Sequence, residues 1–119
     1  MPVNDRAHVP VPAWTPTADA AARTQISTFG RWLATEGRGE FGGYDELWRW
    51  STTELEEFWQ AIADFYDVRF RQQATRVLAD DAMPGAEWFP AATLNYADQA
   101  LRHTGDRTAI VAVSEGGHR

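Results

Sequence analysis

Histidines, adjacent acids and a glycine run are the residues of this 119-residue chain whose types could do chemistry. His8, His103 and His118 could ligate a metal. No two of them share helical or hairpin spacing, and a metal site needs three or four convergent ligands. His103 falls near the end of an expected helix, where the negative end of the helix dipole accounts for it. Glu56-Glu57 and Asp80-Asp81 suggest an acid/base pair, but neighbours on a helix do not face each other, so both read as surface charge. A phosphate cradle over 37–43 would need a preceding strand, a following helix and usually a Lys. The run follows a helical pattern instead, and every one of the eleven basic residues is Arg. It reads as a helix terminator and connector. Gly116-Gly117 sits beyond an apolar run with nothing after it to form the required helix. No Gly-x-Ser-x-Gly elbow is present, so a nucleophilic serine has no support. These residues assign no catalytic, cofactor-binding or metal-binding role to the chain.

The tryptophans carry more information. Trp48 and Trp50 are separated by about 200° around a helix, so one core cannot easily take both. Large rings on opposed faces mark a surface that something else covers; the alternative is a local irregularity near Ser51 that brings both inward. Trp88 and Phe89 join them as candidate interface residues.

Composition sets the outer limits. One domain at most fits this length, with a modest core. Aromatics make up 13% of the residues, including six Trp, and supply much of the burial energy. The formal net charge of −6 argues against a nucleic-acid or anionic-membrane partner, which needs clustered cations. Seven acids against one Arg fall within 44–67, read as the solvated side of a long helix. Without Cys there are no disulfides and no thiolate chemistry. Neither a signal-peptide pattern nor an apolar run long enough to span a membrane is visible, so the expectation is a cytoplasmic protein.

The elements follow from periodicity and punctuation. Prolines at 2, 10, 12 and 16 predict an extended arm over 1–16, with Trp14 able to pin it to a surface. A first helix is expected over 17–35, with Ile26, Phe29 and Leu33 on one face. A short helix over 44–50 is followed by a longer one that starts at Ser51. There Ser51 and Glu54 have the spacing of a capping box. The apolar stripe 55, 58, 59, 62, 65 and 66 carries that helix to about Asp67. Residues 69–73 are polar, and 76–78 reads as a short strand. Turn chemistry fills 80–85. Thr93 or Asn95 caps a helix running to about His103, and 109–113 is a β-branched run expected as a buried strand. The predicted fold is mainly α with a few short strands.

Three segments together resemble acetoacetyl-CoA synthetase, a relative of acetyl-CoA synthetase in the ANL adenylating superfamily. They are F-G-R-W-L at 29–33; Y-D-E-L-W-R-W-S at 44–51 leading into L-E-E-F-W at 55–59 and D-F-Y-D-V at 64–68; and M-P-G-A-E-W-F-P at 83–90 with L-N-Y-A at 94–97. Ala91 and Asp98 stand where the family pattern has Gly and Glu, a change that loosens the turn. The resemblance implies a cytoplasmic, ATP- and Mg²⁺-dependent ligase of fatty acid metabolism, activating a short β-keto acid as its acyl-adenylate and passing the acyl group to CoA. It further implies that 17–107 is a helical N-terminal cap packed on an adenylating domain, whose first strand would begin in 108–119. The family's phosphate loop and catalytic Lys have no counterpart here, so no catalytic residue carries over. The expectation is a truncated or separately encoded N-terminal segment, inert by itself. Its alternatives are a helical interaction module docking on a partner synthetase and a gene fragment without a role.

Overall fold

The computed structural model describes residues 12–106, 108 and 110–116. Five helices and four short strands follow in the order α1 (Ala18–Ala22), α2 (Gln25–Thr35), α3 (Tyr44–Thr53), α4 (Leu55–Phe65), β1 (Phe70–Gln72), β2 (Leu78–Asp80), β3 (Glu87–Trp88), β4 (Thr93–Leu94) and α5 (Tyr96–Ala100). They divide into two compact units, Met1–Phe41 and Gly42–Arg119. The mainly helical reading holds. Most of the predicted arm lies outside the described residues, and Trp14, within them, is exposed.

In the first unit the helix expected over 17–35 is two helices. Thr17 caps α1 by accepting from the Ala20 amide at 3.2 Å. Thr24 then takes an extended conformation and caps α2, accepting from the Ser27 amide at 3.3 Å and donating to the Ala21 carbonyl at 2.8 Å. A threonine hydroxyl offers the backbone an alternative to the helical ladder, and here that alternative wins. Phe29 and Leu33 are buried, whereas Ile26 is exposed. The helix stops at a Schellman motif: Arg38 N–H donates to Leu33 O and Gly37 N–H to Ala34 O, with Gly37 at φ +67°. Gly37 is therefore the terminator the sequence suggested.

In the second unit the capping box does not form. Ser51 belongs to the last turn of α3, and its hydroxyl donates to the Trp48 carbonyl at 2.7 Å. Thr52 and Thr53 likewise donate back to Arg49 O, at 2.9 and 3.1 Å. Three successive hydroxyls bonded to preceding carbonyls carry α3 past the expected break. The break falls instead at Glu54 (φ −106°, ψ 63°), which joins α3 to α4 without a side-chain cap. On α4 the buried residues are Ala61 and Ala63; Phe58, Ile62 and Phe65 are half-buried, and Trp59 and Tyr66 are exposed. The expected stripe was right in period and off in centre, because the small alanines, rather than the rings, sit deepest. Leu47, Val77 and Leu78 complete the buried set of this unit.

The strands form two two-stranded antiparallel sheets, which follow each other along one irregular ribbon. β2 pairs with β3 and β1 with β4. Between these pairs Phe89 N–H donates to Val77 O at 2.7 Å and Thr75 N–H to Pro90 O at 3.4 Å, which continues the ladder. Register runs from Asp80↔Glu87 to Phe70↔Leu94, so ten steps along the first arm meet seven along the second. The surplus residues bulge from the first arm and twist it. The strand expected at 76–78 lies at Leu78–Asp80, one arm of this ribbon, and β1 occupies part of the segment read as merely polar. Asn95 caps α5, accepting from Ala97 N–H at 3.0 Å, and the helix ends at Ala100 rather than His103. The strand expected near 109–113 does not form among the described residues: Ile110–Val113 carry no strand and are exposed, and Ala109 lies outside them.

Candidate functional site

Helix α3 displays two aromatic residues on adjacent turns, Tyr44 and Trp48, which are 64% and 54% exposed. Leu47 takes the buried position between them, so the helix turns that pair outward. Trp50 goes the other way. It is half-buried, meets Phe58 edge-on at a centroid distance of 5.6 Å, and aims its indole N–H at Glu57 Oε2, 3.5 Å away.

From Trp50 the rings continue as a ladder. Phe58 meets Trp59 at 5.3 Å, and Trp59 meets Trp88 of β3 at 5.7 Å, both edge-to-face. Such pairs contribute about 0.5–1.5 kcal/mol each beyond simple burial. Trp59 and Trp88 stay 41% and 38% exposed, so the ladder emerges at the surface. Phe89, next in sequence, points elsewhere: at φ +46° it stacks on Phe70 at 5.6 Å. Of the four residues singled out by sequence, Trp50 and Trp88 belong to one connected set, Trp48 projects outward from the same helix as Trp50, and Phe89 holds the ribbon together. The residue the sequence missed is Trp59. It was assigned to the inward stripe because it keeps helical period with Leu55 and Ile62; its position beside Trp88 depends on ribbon register, which no local pattern encodes.

The polar groups are spent on structure. Glu56 pairs with Arg76 at 3.4 Å, and the Asp80 carboxylate accepts from Ala82 N–H in the turn. His103 is exposed, three residues beyond the last residue of α5. Among the described residues, no three His, Asp or Glu side chains gather where a metal could sit. The start of α3 offers amides to an anion, but Gly42 N–H already donates to Glu46 Oε2 at 2.7 Å, and Asp45 adds a second carboxylate in the first turn. A phosphate there would meet negative charge, so these residues do not fit the phosphates of a nucleotide. No helix among the described residues is long and apolar enough to cross a membrane. What the surface can offer is contact.

Residues 44–100 match the family model described as acetyl-coenzyme A synthetase N-terminus. The acetoacetyl-coenzyme A synthetase of Rhizobium meliloti (strain 1021) is 30% identical over 100 residues, 84% of this chain and 15% of that protein. The acetoacetyl-CoA synthetase of Macaca fascicularis is 32% identical over 108 residues, 87% of this chain and 16% of that protein. The solved structure of acetoacetyl-CoA synthetase from Streptomyces lividans superposes with a TM-score of 0.72 at 50% identity, covering 78% of this chain and 15% of that one. The chain thus spans about a sixth of the length of these relatives.

Proposed function

Because this chain corresponds to the N-terminal region of the acetoacetyl-CoA synthetases, we propose that it is the helical cap of an ATP-dependent acetoacetate–CoA ligase. It packs on an adenylating domain and makes or breaks no bond itself. The observation that carries this reading is the Trp50–Phe58–Trp59–Trp88 ladder. It is built from the same motifs that carry the likeness, and it reaches the surface as exposed indoles. Exposed Trp is enriched at the energetic centres of protein interfaces. Whether the adenylating domain belongs to the same polypeptide or to a separate synthetase chain, this face is where it would dock.

In the whole ligase the carboxylate of acetoacetate attacks the α-phosphorus of ATP and releases pyrophosphate. The thiol of CoA then displaces AMP from the acyl-adenylate. The residues described here supply neither step; they contribute a rigid, pre-packed surface. The 119-residue chain assayed alone is expected to give no acetoacetate-dependent AMP, and robust turnover would refute the inert reading. Mixed with an adenylating domain that lacks its own N-terminal region, the chain is expected to bind, and Trp59→Ala with Trp88→Ala to weaken binding by more than tenfold, the scale of one hot-spot residue of about 2 kcal/mol. No binding by the parent chain in calorimetry would remove the docking reading.

A further inference from the structure

Helix α4 ends on Asp67, a non-glycine residue at φ +48°. It occupies the C′ position of a Schellman motif, with Val68 N–H donating to Ala63 O at 2.8 Å and its own N–H to Asp64 O at 3.0 Å. Glycine is the usual residue there, as at Gly37 of α2. An aspartate adds something a helix stop does not need, and its Oδ2 is engaged by two arginines. Arg102 Nη1 donates to Asp67 Oδ2 at 3.0 Å and to Asp67 O at 2.7 Å, while Nη2 donates to Tyr66 O at 3.0 Å. Gln99 Nε2 reaches the same two carbonyls, at 3.0 and 3.4 Å, and its Oε1 accepts from Arg69 N–H at 3.1 Å. Arg69 also contacts Asp67 Oδ2, at 3.3 Å. The Arg102 side chain is only 20% exposed, unlike those of Arg23, Arg69, Arg71 and Arg76, each of which is more than half exposed in its ion pair.

This arrangement joins two places far apart in sequence. The carbonyls of Tyr66 and Asp67, just past the last residue of α4 and beside the negative end of its dipole, receive a guanidinium and an amide from α5 and the residues after it. α5 has five residues, too few to hold a helix or a position by itself. We propose that Asp67, Gln99 and Arg102 form a latch that fixes the direction in which the chain leaves α5, and so registers the helical cap against the adenylating domain. This rests on the reading given above and makes Gln99 and Arg102 positioning residues for the proposed ligase. Asp67 keeps its left-handed backbone because its carboxylate is the latch's charged acceptor.

The chain has no Cys, so two introduced ones take spin labels without ambiguity. Glu54→Cys at the head of α4 and Thr104→Cys beyond α5 bracket the latch, and both sites are exposed. Pulsed electron–electron distance measurement on the doubly labelled chain is expected to give one narrow distribution. Arg102→Gln should broaden it about twofold, while amide exchange within α3 and α4 stays within about threefold of the parent. Gln99→Ala should broaden it less. An unchanged width in Arg102→Gln would overturn the latch. Broadening matched by equally faster exchange throughout α3 and α4 would overturn it too, since Arg102 would then be only a general support of the fold. The readout lies within the chain, so its failure is distinct from a failure to dock on an adenylating domain.

Discussion

Ala91 follows the Trp88-Phe89-Pro90 turn at φ +62°, a region that a Cβ makes costly. The resemblance leads to an expected Gly at this position, and a left-handed backbone suits that residue best. Ala91 is exposed, so packing does not confound a substitution there. Ala91→Gly is expected to raise stability by roughly 0.5 kcal/mol, the relieved strain being partly offset by the entropy of the unfolded glycine. Ala91→Val should lower it by more than about 1 kcal/mol, because β-branched residues tolerate positive φ poorly. Thermal unfolding of the two variants decides the matter, and equal melting temperatures would show that the turn relaxes around any residue. Asp98, the other departure from the pattern, pairs with Arg71 at 2.8 Å on an exposed surface, where such a pair contributes little.

At the level of elements, the sequence was most legible where a pattern was long. The apolar period of α4, the Asn95 cap and the Gly37 stop were readable because each rests on residues close in the chain. Two hydroxyl residues misled in opposite directions. Ser51 has capping-box spacing, yet it donates backward to Trp48 O; Thr24 looked like the interior of a helix, yet it is a cap. A local pattern cannot say which way a hydroxyl will bond when both directions offer a partner. The structure therefore predicts a contrast. Thr24→Ala should cost about 1 kcal/mol as a lost N-cap, and Ser51→Ala less than about 0.5 kcal/mol. Urea unfolding monitored by circular dichroism measures both, and a larger loss at Ser51 would restore the capping box. β1 and the Arg102 latch were illegible for another reason. Both depend on ribbon register and on contacts between residues some thirty positions apart, which no window of sequence contains.

Across the whole molecule, the second unit leaves apolar surface in two forms that differ physically. The Trp59–Trp88 pair is rigid: its rings are braced edge-to-face and sit on elements fixed by the ribbon and by α4. The run 110–113 is different, with Ile110, Val111 and Val113 between 70% and 81% exposed and outside any strand. β-branched residues without hydrogen-bonded neighbours seek an open strand edge, and a two-stranded ribbon has two of them. An adenylating domain would provide a sheet for this run in the proposed ligase. In the chain alone, the available edges belong to other copies. Sedimentation velocity is therefore expected to show association that grows with concentration. Val111→Lys should suppress it by placing a charge within the pairing segment, and Trp59→Ala should leave it largely unchanged. If Trp59→Ala abolished the association and Val111→Lys did not, the braced indoles rather than the unpaired run would be the adhesive surface. The two kinds of apolar exposure would then have to exchange roles.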